Sequence, residues 1–199
     1  MKKILIAAIA VLMAVNAYSQ TKKNDLKDKL LKIETLSADF IQTNTLKDFG
    51  DDIYSGKVYI KIKDKALWDY TEPYSSWYLF TQENIEQYDE INNQLVKYKA
   101  KDARENVILK AVMDISSVEN EFSSKQIDKT TLRLTPKTDV GIKSLDIIFD
   151  EKGMISGLKS YDGAGNTSFI EMKNVKLNQS ISDGVFKKKL PKDVNIFEN

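Results

Sequence analysis

Between residues 55 and 63 the chain alternates strictly, with Val58, Ile60 and Ile62 on one parity and Tyr59, Lys61 and Lys63 on the other. A period of two sends successive side chains to opposite faces, which suits a half-buried strand and no helix. The parity of Tyr59, Lys61 and Lys63 reads as the wet face. The pattern recurs: Ala38, Phe40 and Gln42 alternate with Asp39, Ile41 and Thr43. Further strand-like runs cover residues 66–71, 77–81, 85–88, 94–98, 121–127, 131–135, 143–149, 155–161 and 167–177. Short polar breaks separate them, among them Glu72-Pro73, Glu90-Ile91-Asn92-Asn93, Glu151-Lys152-Gly153 and Asp162-Gly163-Ala164-Gly165-Asn166. Strands this regular, with breaks of hairpin size, predict an antiparallel meander curled or closed into a barrel. No Gly/Ser/Pro-rich linker interrupts them, so one mainly β domain is expected.

Two segments leave the β pattern. Residues 25–34 carry Leu26, Leu30 and Ile33 at i, i+4 and i+7, an amphipathic helix with Asn24 placed to cap it. Residues 102–115 form a second helix, with Asp102 as N-cap and Glu105 three residues on, much like a capping box. Val107, Ile108, Ala111, Val112 and Ile115 share one face of it, opposite a stripe of Asn106, Lys110 and Asp114. Leu109 and Met113 widen the apolar side beyond an ordinary amphipathic helix. Such a helix plugs a barrel as solid core or covers a hollow as a lid, and the pattern leaves both open.

The first nineteen residues read as a secretory signal peptide. Lys2 and Lys3 precede an apolar run from Ile4 to Val15, and Ala17-Tyr18-Ser19 supplies a small-x-small exit before Gln20. The run falls short of the ~20 residues a bilayer span needs. Cleavage leaves one domain, residues 20–199, with 28 basic against 29 acidic side chains. That balance gives no electrostatic footprint for nucleic acid and no basic face for anionic lipid. The expected product is a soluble, monomeric periplasmic protein. With no Cys anywhere, it holds together by its core alone and has no cysteine to carry a lipid anchor.

The absences also bound the chemistry. Without His or Cys there is no Ser-His-Asp triad, no thiolate nucleophile and no His/Cys metal or haem site. No P-loop is present, and Gly163-Ala164-Gly165 has Ser168 where a dinucleotide fingerprint needs its third glycine. Paired carboxylates remain open in principle, but plentiful surface Asp and Glu serve solvation far more often. The expectation is a binding protein with no cofactor, no metal and no catalysis. Trp68, Tyr70, Tyr74, Trp77, Tyr78, Phe80 and Tyr88 fall within 21 residues, seven of nineteen aromatics. A wall this rich in rings fills a core or lines an apolar pocket.

At this point the chain resembles a known family, the periplasmic lipoprotein carriers of the LolA type. Leu36-Ser37-Ala38-Asp39-Phe40-Ile41-Gln42 matches the family's Leu-x-Ala-x-Phe-x-Gln where the first helix meets the first strand. Ser55-Gly56-Lys57-Val58-Tyr59-Ile60-Lys61 is similar to its Ser-Gly-x-Leu-x-Val-x segment, and Leu67-Trp68-Asp69-Tyr70-Thr71-Glu72-Pro73 to its Arg-Trp-x-Tyr-x-x-Pro. Leu132-x-Leu134-x-Pro136, Phe149-Asp150, Asp162-x-x-Gly165-Asn166, Phe186 and Pro191 follow in the family's order.

The resemblance implies an incomplete antiparallel half-barrel whose concave apolar face is covered by helices. It implies a chaperone that takes lipoproteins from an inner-membrane transporter, shields their acyl chains and hands them to an outer-membrane acceptor. By alternation and motif match, the acyl-binding cavity is assigned to Phe40, Val58, Ile60, Trp68, Tyr70 and Phe80. The lid is assigned to Val107, Ile108, Ala111, Val112 and Ile115. The chain also departs from the family. Ile62-Lys63 stands where an Arg-Pro pair often helps latch the helices, Leu67 replaces an arginine, and Thr81-Gln82-Glu83 replaces a Ser-Asp-Gly turn. Two other readings stay in view: a half-barrel that senses lipid or lipoprotein and regulates an envelope partner, and a carboxylate glycan hydrolase.

Overall fold

The computed structural model describes residues 25–100 and 118–198. The signal peptide, the cap at Asn24, and the 102–115 helix with Val107, Ile108, Ala111, Val112 and Ile115 lie outside the described residues.

Helix α1 (Asp25–Leu31) leads into strands β1 (Thr35–Leu46), β2 (Gly50–Lys61), β3 (Lys65–Glu72), β4 (Ser76–Thr81), β5 (Asn84–Asp89) and β6 (Gln94–Lys99). After one turn of helix, α2 (Val118–Glu121), come β7 (Phe122–Gln126), β8 (Thr131–Pro136), β9 (Ser144–Phe149), β10 (Ile155–Tyr161) and β11 (Thr167–Leu177). A 3-10 turn (Asp183–Phe186) and strand β12 (Asn195–Glu198) finish the chain. Among the described residues the twelve strands form one open, curved sheet in the order β12-β6-β5-β4-β3-β2-β1-β11-β10-β9-β8-β7. Every pairing is antiparallel except β12 with β6, which is parallel. The expected half-barrel is therefore present.

The central strand β1 sets the inner face. Leu36, Ala38 and Phe40 point inward from it, Val58 and Ile60 from β2, Ala66 and Trp68 from β3, and Phe80 from β4. Register makes them neighbours: Ala38 faces Val58, Val58 faces Trp68, and Ala66 faces Phe80. Strands β8 to β11 add Leu132, Leu134, Leu145, Ile147, Phe149, Ile155, Leu158 and Met172. Helix α1 lays Leu26 and Leu30 on this surface, with Ile33 just beyond it. It stops at Leu31, short of the expected 34, because the chain is already turning into the sheet. The Glu34 N–H donates to Asn178 Oδ1 (2.8 Å) and its carbonyl accepts from the Ile62 N–H (2.9 Å).

The outer face corrects the sequence reading. The Tyr59 parity is not simply wet. Leu67, Trp77, Tyr88, Leu95 and Phe186 form a second buried cluster, with Tyr59, Leu79, Ile181, Val185, Leu190 and Val194 packed on it. The aromatic run thus splits by parity: Trp68, Tyr70, Tyr78 and Phe80 face inward, while Trp77 stacks on Tyr88 outside (centroids 5.8 Å). The cover is the segment after β11, whose apolar residues have neither strand nor helix period and so left no signal. It is pinned by charge at two points. Asp183 accepts from Lys61 (2.6 Å) and Lys65 (3.3 Å), and both ammonium groups sit over the Phe186 ring. Lys188 donates to Asp69 (2.7 Å).

The two lysines hold the Asp183 carboxyl below its ordinary range, first by hydrogen bonds and then by charge. A depressed folded-state pKa contributes stability above the unfolded value and loses it as pH falls through the folded one. Docking of this segment is therefore expected to loosen below about pH 4. Hydrogen exchange at Val185 and Phe186 checks it: protection drops in that window, and Asp183→Asn removes the pH dependence. An unchanged profile in the variant rules the clamp out.

Candidate functional site

Under α1 the inner face leaves an apolar hollow. Leu30 and Ile33 roof it. Leu36, Ile60, Ile62, Trp68, Leu145, Ile147, Ile155, Leu158 and Met172 form its walls. Its lining is apolar throughout, and its volume is about 40 Å³. Room of that size holds a few waters at most, and an apolar lining gives water nothing to bond. One polar atom stands out. Trp68 is 4% exposed, and its indole N–H has no acceptor among the described residues. A buried donor without a partner costs about 1–3 kcal/mol, so a ligand carbonyl or hydroxyl reaching Trp68 would recover part of that.

Of the residues expected in an acyl cavity, Ile60 and Trp68 line this hollow directly. Phe40, Val58 and Phe80 lie beside them in the same cluster, at 2%, 0% and 4% exposure, as packed walls. Tyr70 is brought to the far end. Its ring meets Phe40 edge-on (5.1 Å) and Tyr78 (6.2 Å), and Phe40 in turn tilts against Trp68 (5.8 Å). Sequence reasoning did not single out Leu30, Ile33, Leu36, Leu145, Ile147, Ile155, Leu158 or Met172 as lining. Alternation places Leu36 with Phe40 on the inward face, but Ile155 and Leu158 share that face only through the irregularity between Ile155 and Gly157, and which inward residues border empty space depends on how α1 sits. The Ile62 side chain, one residue beyond β2, also faces the hollow.

Beyond Phe40 the same parity turns polar. Tyr70 OH donates to Gln42 Oε1 (2.8 Å), and Gln42 Nε2 donates to Asn44 (2.9 Å) and Ser168 (3.1 Å). Tyr98 OH donates to Gln87 Oε1 (2.7 Å), and Gln87 Nε2 to Tyr78 OH (3.0 Å). Burial, then the neighbouring Tyr78 and Tyr54, pushes the Tyr70 hydroxyl far above its ordinary range, so it stays a neutral donor. Gln42, Asn44, Tyr70, Tyr78 and Gln87, with Tyr54, Tyr74, Ser76, Tyr88 and Asp89, border an open pocket of about 320 Å³. Among the described residues no three carboxylates converge as a metal site.

A curved sheet with one apolar, helix-roofed face has the form of a container, and comparison with known proteins places it. The family model described as outer membrane lipoprotein carrier protein LolA matches residues 31–189. The chain belongs to the LolA family. Among relatives named outer-membrane lipoprotein carrier protein, that of Pasteurella multocida (strain Pm70) is 28% identical over 193 residues, covering 95% of this chain and 93% of its own. That of Francisella philomiragia is 24% identical over 202 residues, covering 100% and 98%. Among solved structures, a LolA superfamily protein from Nitrosomonas europaea superposes with a TM-score of 0.52 at 12% identity, covering 84% of this chain and 98% of its own. An uncharacterized conserved protein from Thermus thermophilus gives 0.56 at 11% identity, covering 88% and 98%. At such identities the structural likeness speaks for the LolA-type fold alone.

Proposed function

We propose that this LolA-family protein is a periplasmic chaperone that carries lipoproteins between membranes with their acyl chains sheltered on the inner face of the half-barrel. The observation that carries the reading is the apolar hollow between α1 and the sheet, in a chain related over nearly its whole length to named lipoprotein carriers. Phe40, Val58, Ile60, Trp68 and Phe80 form the acyl-binding wall, and Tyr70 closes it at the polar end. Residues 1–19 direct export and are removed, and the mature protein works without cofactor or catalysis. Its partners are an inner-membrane transporter that supplies lipoprotein and an outer-membrane acceptor that receives it.

The energetics suit the task. Each CH₂ left in water costs about 0.8 kcal/mol, so one long acyl chain leaving a membrane unaided loses roughly 10 kcal/mol. An enclosed apolar face offsets that loss where a surface patch would leave methylenes wet. The hollow of about 40 Å³ is far below the roughly 300 Å³ at which ligand pockets begin. Cargo therefore enters by parting the walls. The roof moves about an anchored end: Leu26 and Leu30 meet the sheet by non-directional apolar contact and the Lys27–Glu119 ion pair ties α1 to α2, while Asn178 holds the turn after α1 by accepting from the Glu34 N–H and donating to the Lys32 carbonyl. A container that springs shut also releases its load.

Mass spectrometry of the protein isolated from envelopes, paired with a lipoprotein-release assay on spheroplasts, tests the proposal. Acylated peptides should co-purify, and added protein should bring lipoproteins into the supernatant. Fractionation with the cytoplasm, or no release, would overturn it.

A further inference from the structure

The inner face changes character along its strands, from apolar to hydrogen-bonding. On β1 the inward residues run Leu36, Ala38, Phe40, then Gln42 and Asn44. On β2 they run Ile60, Val58, Gly56, then Tyr54, and on β3 Ala66, Trp68, then Tyr70. Phe80 gives way to Tyr78 and Ser76 on β4, Ile85 to Gln87 and Asp89 on β5, and Met172 and Ile170 to Ser168 on β11. The change runs obliquely across these six strands: in register Gln42 lies opposite Ile170, Gly56 opposite Tyr70, and Trp68 opposite Tyr78. The result is one continuous surface with an apolar half under α1 and a hydrogen-bonding half bordering a pocket of about 320 Å³.

We infer that the polar half is a second subsite, which takes the uncharged ester and amide head of a lipidated peptide while its acyl chains lie in the apolar half. This rests on the acyl-carrier reading of the inner face. Polar side chains on the inner wall of an apolar container cost stability unless satisfied. Here Tyr70–Gln42–Asn44/Ser168 and Tyr98–Gln87–Tyr78 are satisfied by one another. Such networks hold side chains in fixed positions, as a recognition surface requires. The donors and acceptors are phenols, amides and hydroxyls. Among the described residues no lysine or arginine borders the pocket, so they offer an anionic phosphate head no counter-charge. Its one carboxylate, Asp89, is committed to the Ile91 N–H (2.9 Å) and the Asn92 amide (2.6 Å). What fits is a neutral group rich in carbonyls and hydroxyls with chains attached at one end: the acylated glyceryl-cysteine terminus of a lipopeptide. The boundary ring Phe40, against both Trp68 and Tyr70, falls where chain meets head.

The test measures affinities of the mature protein for a triacylated lipopeptide and for the free fatty acid of the same chain length. Competition against a fluorescent acyl probe reads both. Wild type should prefer the lipopeptide by at least tenfold. The Gln42→Leu/Gln87→Leu double variant, which spares every residue of the acyl-binding wall, should lose that preference and hold the fatty acid within twofold of wild type. Should the double variant not fold by circular dichroism, Tyr54→Phe at the pocket's rim carries the same test, with at least a threefold loss expected. Equal affinities in wild type, equal losses for both ligands, or no change in the variants would overturn the subsite. So would displacement of the lipopeptide by a neutral oligosaccharide, which would assign the pocket to sugar. Wild type binding neither ligand is a different result, since it removes the acyl-carrier reading itself.

Discussion

A Gly56→Ala chain is expected to lose more than about 3 kcal/mol of stability, or not to reach the native fold. Gly56 lies on β2 where β3 makes its closest approach, at the irregularity where Ser55 pairs with Glu72 and Gly56 with Tyr70. A methyl group there would drive into the Asp69 carbonyl and press on the Tyr70 Cα at 2.9 Å. These are backbone atoms of a paired strand, so no rotamer change relieves the clash. Relief requires β3 to draw away from β2, which separates Val58 from Trp68 and pulls Tyr70 from Gln42. Gly163→Ala is the control: its nearest neighbour is the end of the Lys143 side chain (3.0 Å), which can swing aside. Urea unfolding of both variants checks the contrast, with Gly163→Ala staying within about 0.5 kcal/mol of wild type. Near-native stability of Gly56→Ala would mean that β2 and β3 do not approach as described.

The second large effect falls on binding. Ile62→Asp should lower affinity for long-chain acyl probes by tenfold or more while the protein still folds. Ile62 borders the hollow yet lies at the end of the β2 region, half-buried rather than enclosed. An aspartate there can turn its carboxylate to water in the empty protein, so the fold loses little more than one side chain's apolar contact. In the loaded protein the same carboxylate meets hydrocarbon and must either lose water or push methylenes into it. Thermal melts give the first quantity and probe titration the second. A variant that binds normally would remove the hollow from the binding site.

Much of this architecture was legible because alternation is a local signal. The inward sets Leu36/Ala38/Phe40 and Val58/Ile60 follow from parity alone, and hairpin breaks such as Glu151-Lys152-Gly153 fall between paired strands as the pattern required. The outer cluster was not legible. Trp77 and Leu79 share a parity that reads as exposed until the 181–194 segment returns across it, and no period in Ile181, Val185, Phe186, Leu190 and Val194 announces that return. The same limit applies to the site. Parity places Trp68 and Tyr70 on one face, but which of them borders empty space and which hydrogen-bonds to Gln42 depends on contacts with α1 and β1. The resemblance carried the function further than the residues could, since an apolar wall alone is equally a solid core.

The two tryptophans allow the most direct test of acyl sheltering on the inner face. Trp68 lines the hollow with its indole N–H unpaired among the described residues, whereas Trp77 lies on the opposite face, stacked on Tyr88. In a ¹⁵N-indole spectrum of the mature protein the two side chains give separate signals, assigned by Trp68→Phe and Trp77→Phe. Titration with a long-chain acyl ligand should shift and saturate the Trp68 resonance and leave Trp77 in place. A saturable shift at Trp77 with Trp68 unmoved, or binding that perturbs neither, would contradict the account.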